Sequence, residues 1–317
     1  MLRWRLLLGV ILVGLLAGLF MLDLKSAVPG AWLFPLAVLL AVLLAGEMLR
    51  LLSTANQRPL PWVVYSGTLL VVASNGIPIY FARFLPPNCP IGNLGWPLLA
   101  LAAGVLIVLI GEMLRYEKPK GEKQKGEKPG EVIKNLALAL FSMTYIGLLL
   151  SFVIQLRLVD SKLYSSGSEG ILALASLMIV VKLGDTGAYT VGRLIGRHKM
   201  APVLSPGKTI EGAVGGLVFS CLGAWLALGP LANAIVKDWQ PVPWWSLVVY
   251  GLVVGAAGMM GDLAESLLKR DSGRKDSSAW LPGFGGILDL LDSILFAAPV
   301  AYVCWVMGLF ASIGVKL

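Results

Sequence analysis

Apolar runs of about 20 residues recur along the whole length of this chain, and no other feature constrains its fold as strongly. A run of that length crosses a hydrocarbon core of roughly 30 Å as a helix. Nine such runs can be drawn, at residues 5–22, 31–52, 60–81, 95–115, 132–158, 169–196, 210–233, 244–268 and 287–313. Within lipid every backbone N–H and C=O must be paired internally, which makes helices the spanning form here. The short alternating segments of a β-barrel are absent. Composition agrees: 57% of the 317 residues are hydrophobic and 14% are charged, against about 25% charged in a soluble domain. The expected fold class is therefore all-α, a polytopic transmembrane helical bundle of about nine spans, with nothing left over for a sizeable soluble domain. The first run follows Arg3 and Arg5, and no small-x-small cleavage pattern comes after it. It reads as an uncleaved anchor rather than a signal peptide.

Lys and Arg set the orientation, because cytoplasmic loops carry the excess of them. With the N-terminus cytoplasmic, 19 of the 26 basic residues fall on the cytoplasmic side, and the C-terminus lies outside. The stretch at 117–131 holds five Lys and four Glu and is low in complexity. It reads as a flexible solvated linker, or as a patch drawn to anionic headgroups. It divides the chain into an N-terminal four-span region (1–116), the linker (117–131) and a C-terminal five-span region (132–317). Cys89, Cys221 and Cys304 have no metal-ligand spacing and read as buried free thiols. Trp239, Trp244 and Trp245 sit where an interfacial aromatic belt would put them.

The polar residues of the C-terminal region carry the functional signal, since ionisable groups inside spans are costly and mark sites by default. Lys182 and Asp185 lie three residues apart in one apolar run, hence on one helix face. They are either a neutralised packing pair or one wall of a headgroup pocket. Next come a basic loop and Ser205-Pro206-Gly207-Lys208-Thr209, with Glu211 and Gly212 behind. Pro206-Gly207 reads as a tight turn, with Lys208 and Thr209 opening the next helix. Free N–H groups there would favour phosphate; the same turn serves equally as a plain helix cap. A Walker A loop is excluded, because Pro202 stands where its first Gly is required. His198, the single histidine, lies in this loop and reads as a surface residue.

A second cluster runs from Gly261 to Ser293. Asp262 and Glu265 share a helix face, Lys269, Arg270, Arg274 and Lys275 crowd a short loop, and Gly283-Phe284-Gly285-Gly286 is a turn that lets backbone approach a ligand closely. Asp289 and Asp292 follow, three apart on the last helix. Carboxylate oxygens of this kind bind Mg²⁺, which takes substrate phosphates as further ligands, and basic side chains hold the remaining phosphate oxygens. The combination fits phosphoryl or nucleotidyl transfer at a membrane face, where positioning and charge neutralisation supply most of the catalysis.

The stretch Ser266–Asp292 resembles the signature of the phosphatidate cytidylyltransferases, the CDP-diacylglycerol synthases. It carries Ser266, Lys269-Arg270, Lys275-Asp276, Pro282-Gly283-Phe284-Gly285-Gly286 and Asp289-Leu290-Leu291-Asp292. Asp185-Thr186-Gly187-Ala188-Tyr189, Gly192, Gly196 and Ser205–Gly212 are also similar to that family, so the resemblance covers roughly residues 180–295. Phe284 stands in place of the family's usual His, and Leu290 in place of its usual Arg. A phosphate monoester, with a second pKa of about 6, is already mostly ionised near neutral pH, so its attack requires no strong base.

The resemblance implies that CTP and phosphatidate give CDP-diacylglycerol and pyrophosphate, and that the enzyme serves phospholipid biosynthesis in a cell inner membrane with its site facing the cytoplasm. Asp262, Asp289 and Asp292 are then expected to hold Mg²⁺, as one or two cations, with Asp262, Asp289, Lys208 and Lys269 as the catalytic set. Asp185, Tyr189, Ser205, Thr209, Glu211, Arg270, Lys275, Asp276, Gly285 and Gly286 are expected to bind substrate. The resemblance also implies a homodimer, and no nucleic-acid partner is expected. Two alternatives stand beside it: a related CTP-dependent lipid enzyme (an isoprenoid-alcohol kinase or an ether-lipid synthase), and a transporter, whose sites lie near the midplane between repeats.

Overall fold

The computed structural model describes residues 2–53, 59–86, 89, 91–116, 130–159, 167–237, 239–274, 277–278 and 285–310, with side chains described except at 2–8 and 82. All but the last two residues of the expected linker lie outside the described residues. Among the described residues nine long helices are present: α1 Leu2–Leu24, α2 Leu33–Leu52, α3 Pro61–Tyr80, α4 Gly92–Tyr116, α5 Glu131–Arg157, α6 Ser168–Ile195, α7 Ile210–Ile235, α8 Trp244–Asp271 and α9 Ile287–Val306. The eight from α2 to α9 are each long and apolar enough to cross a membrane, and α1 adds a further 23 residues. Large apolar side chains such as Leu106, Met113, Val214, Val218 and Trp225 point outward. Apolar surface on that scale would be a liability in water and suits contact with acyl chains.

Most helix boundaries fall within a few residues of those expected, and the irregularities have local causes. Pro61 opens α3 at a position where its missing N–H is no loss. Pro78 removes the N–H that would pair with the Ser74 carbonyl, and α3 turns at Asn75 between two helical stretches. The Asn75 side-chain amide braces this turn, donating to the Val71 and Val72 carbonyls and to Ser151 Oγ at 2.8 Å. A wider π turn interrupts α5 at Met143–Leu148. A second one interrupts α7 at Ala227–Leu231, around Pro230. The last helix stops at Val306, short of the expected 313.

The chain packs as two compact units, each drawn from three stretches. One comprises residues 1–19, 30–151 and 271–289, the other 20–29, 152–270 and 290–317. In the first, α3 lies against α2, α4 and the π segment of α5. Its core joins Leu49, Val63, Val64, Val108, Ala139 and Met143. Met143 fills the space left open by Gly67 and Gly104, where any Cβ would collide with it. The segment that follows α8 packs with these N-terminal helices although it comes from the far end of the sequence.

In the second unit α6 and α7 pair along most of their length. Small residues permit this: Cβ atoms added at Gly187 or Gly215 would strike Phe219 or Val191, the small-residue rule of helix pairs in lipid. Between the two helices the only sheet among the described residues is a hairpin, β1 Lys199–Ala201 antiparallel to β2 Ser205–Thr209. The expected tight turn at Pro206-Gly207 is thereby corrected: the reversal occurs at Pro202–Leu204, and Pro206-Gly207 lies within β2. A two-stranded hairpin is all edge, so a proline without an N–H is tolerated there. Thr209 ends β2 and caps α7, its hydroxyl accepting from Gly212 N–H at 3.1 Å.

Candidate active site

The hairpin, the C-terminal part of α6, the start of α7 and the middle of α8 line a partly open cavity of about 460 Å³ within the second unit. Its walls include Asp185, Tyr189, Arg193, Lys208, Thr209 and Asp262. Lys208 reaches this cavity because β2 hands it over just before the α7 cap, and its Nζ lies 2.8 Å from Asp262 Oδ2. The Lys182–Asp185 pair forms as spacing predicts, at 3.2 Å, and Lys182 also donates to the Leu290 carbonyl at 3.1 Å. That contact ties α6 to α9 through the backbone of Leu290. Arg193 donates to Tyr189 Oη at 2.9 Å, which adds a second cation to the wall.

Beside this wall three carboxylates converge. Asp262, Glu265 and Asp292 each offer an oxygen, and these oxygens lie within 4.8 Å of one another. Glu265 and Asp292 are buried, and α8 brings Asp262 and Glu265 to one face through their three-residue spacing. The close approach of α8 to α9 depends on Gly261, where a Cβ would collide with Phe296 and the Asp292 carbonyl. Lys269 pairs with Glu265 at 2.6 Å. The donor set is hard oxygen on a negatively charged cluster, which fits a divalent cation such as Mg²⁺, and Lys208 and Lys269 balance part of its charge. Glu265 was noted in the sequence only as a neighbour of Asp262. Its burial, invisible in a sequence, is what adds it to the group.

The other expected site residues fall in several places. Asp289 belongs to the first unit. There its Oδ2 accepts from Ser277 N–H at 3.0 Å, Ser277 Oγ at 2.7 Å and Gly286 N–H at 2.6 Å. The Gly-rich turn makes this docking feasible. Gly285 adopts a left-handed φ of 87°, and a Cβ there would strike the Asp289 carboxylate. A Cβ at Gly286 would strike Ser277 Oγ and Glu47. Arg270 Nε donates to the Leu204 carbonyl at 3.2 Å, fastening the end of α8 to the hairpin. Ser205 pairs with Ala201 at the tip of the hairpin, away from the cavity wall. Glu211 takes His198 Nδ1 at 2.6 Å and the Arg197 N–H at 3.1 Å. It lines a separate, apolar groove on α6 and α7. Lys275, Asp276 and Phe284 lie outside the described residues.

Fold and site together define a polytopic helical membrane protein with a cavity that brings Lys208 and Arg193 beside a carboxylate cluster, an arrangement suited to phosphate chemistry. The chain belongs to the Cytidylyltransferase family, whose model matches residues 3–307. It is 41% identical over 164 residues to a phosphatidate cytidylyltransferase of Staphylococcus saprophyticus, covering 52% of this chain and 56% of that relative. Proteins of the same name from Staphylococcus haemolyticus and Staphylococcus aureus are 38% and 40% identical over the same span. The matched stretch is thus little more than half the length of these relatives.

Proposed function

We propose that this protein is a membrane nucleotidyltransferase that makes CDP-diacylglycerol from CTP and phosphatidate. The observation that carries the reading is the convergence of Asp262, Glu265 and Asp292 beside a cavity walled by Lys208 and Arg193. The names of the relatives point to the same reaction. A phosphatidate phosphate oxygen attacks the α-phosphorus of CTP. The bond from that phosphorus to the β-phosphate bridging oxygen breaks, and pyrophosphate leaves with the electron pair. Lys208 and Lys269 neutralise charge on the triphosphate and the departing pyrophosphate, and Tyr189, Thr209 and Asp185 shape the cavity around it. Asp262, Glu265 and Asp292 would hold Mg²⁺, which when bound supplies charge neutralisation across the phosphates. The family's histidine is not needed as a base, because the nucleophile arrives mostly ionised.

The site faces the cytoplasm in this reading, where CTP is found, and the lipid enters sideways from the bilayer. Orientation rests on the basic residues: Arg193, Arg197, Lys199 and Lys208 cluster around the hairpin. The test follows the label. Purified protein is given phosphatidate, Mg²⁺ and CTP labelled at either the α- or the γ-phosphorus. Cytidylyl transfer carries the α-label into the organic phase and leaves the γ-label in water as pyrophosphate. A γ-label in the lipid would mark a kinase, and neither label in the lipid, from folded protein that binds CTP, would end the reading.

A further inference from the structure

Glu47 sits near the end of α2 in an apolar span and is 4% exposed. Its carboxylate faces residues more than two hundred positions away. Oε1 accepts from Ser278 Oγ at 2.6 Å and Ile287 N–H at 3.0 Å. Oε2 accepts from Leu288 N–H at 2.8 Å and lies 3.2 Å from Ser277 Oγ. The first N–H groups of a helix have no partner within it and are ordinarily met by a side chain just before it. The residue before α9 is Gly286, which has no side chain to offer, and the space a Cβ would need there is taken by Ser277 and Glu47.

We propose that Glu47 is a positioning residue that caps α9 from another helix and so fixes the first turn of the helix that carries Asp289 and, three residues on, the carboxylate Asp292. The negative charge also suits the positive end of the α9 dipole. Ser277 links this cap to Asp289: its hydroxyl lies 2.7 Å from Asp289 Oδ2 and 3.2 Å from Glu47 Oε2, and its rotatable proton serves the one or the other. Holding α2, Ser277, Gly286 and the start of α9 together sets where the Asp289 carboxylate stands. The N-terminal region thereby acts on the start of α9 as more than scaffold. The pentapeptide Gly-Glu-Met-Leu-Arg occurs twice, at 46–50 in α2 and at 111–115 in α4. In the second copy Glu112 pairs with its own Arg115 at 3.8 Å.

The inference rests on the transferase reading for its effect on rate, but the cap has its own readout. Hydrogen exchange by mass spectrometry on full-length Glu47→Ala, Glu47→Gln and parent protein follows peptides spanning 285–295 and, as internal reference, peptides of α6. In Glu47→Ala the 285–295 peptides are expected to exchange at least about tenfold faster with α6 unchanged. Its kcat is expected to fall about 10–100-fold, as for lost supporting contacts elsewhere, with KM for CTP within about threefold. Glu47→Gln keeps one acceptor oxygen and is expected to recover part of both. Unchanged exchange at 285–295, faster exchange throughout the protein, a glutamine no better than alanine, or an unchanged kcat in an active enzyme would each overturn the proposal. Should the parent transfer no label to any lipid, the transferase reading fails, and the exchange comparison alone decides whether Glu47 holds α9.

Discussion

Asp23 and Arg157 meet at 2.6 Å within the second unit, and neither is more than 4% exposed. Arg157 also donates to the Gly167 carbonyl at 2.9 Å, so one guanidinium ties three chain segments. Removing one partner of a buried pair strands the other, at about 3–5 kcal/mol, whereas replacing both with apolar residues is often close to neutral. Asp23→Leu is therefore expected to destabilise the protein far more than the double variant Asp23→Leu/Arg157→Met. Thermal unfolding in detergent checks this, and equal losses would contradict it. The sequence places these residues in separate runs, and nothing in their spacing announces the pair. Glu47 was equally hidden, although an acid near the end of an apolar span is itself a signal. Lys182–Asp185 was legible because both residues lie on one helix three positions apart, where geometry is local.

Hairpin and helix start act together at the next scale. Lys208 enters the cavity because β2 ends in Thr209, and Thr209 caps α7 through Gly212 N–H. Thr209→Ala is expected to cost about 1 kcal/mol of stability, the usual effect of losing such a cap. Thr209→Ser, which keeps the hydroxyl, is expected to restore most of it; a melting temperature for Ala equal to that of the parent would contradict the cap. The span positions were readable from hydropathy, since each is a long apolar run. The hairpin was not, because Pro206-Gly207 carries a stronger local turn signal than strand signal. Strands of three and five residues are also too short to leave an alternating pattern. The π turn in α5 was hidden because it starts at Met143, which fits against Gly67 and Gly104 on other helices; the one in α7 contains Pro230, whose presence alone does not tell a π turn from a kink.

Across the whole molecule the carboxylates responsible for the proposed chemistry come from α8 and α9, and the cations facing them from β2 and α8. The orientation predicted from basic residues is checked with single cysteines at Lys199 and Lys237 after Cys89, Cys221 and Cys304 are replaced. A membrane-impermeant maleimide should label the two positions from opposite sides, position 199 from the cytoplasmic side; labelling from one side would contradict it. The most direct test of the account is the rate of transfer of α-labelled CMP to phosphatidate by the parent and by Asp262→Asn, Glu265→Gln and Asp292→Asn. The account predicts Mg²⁺-dependent transfer that EDTA abolishes, and a loss of at least about 100-fold in each variant with unfolding temperature little changed. Variants that keep the parent's rate to within about threefold would show that these three carboxylates are not the reaction centre.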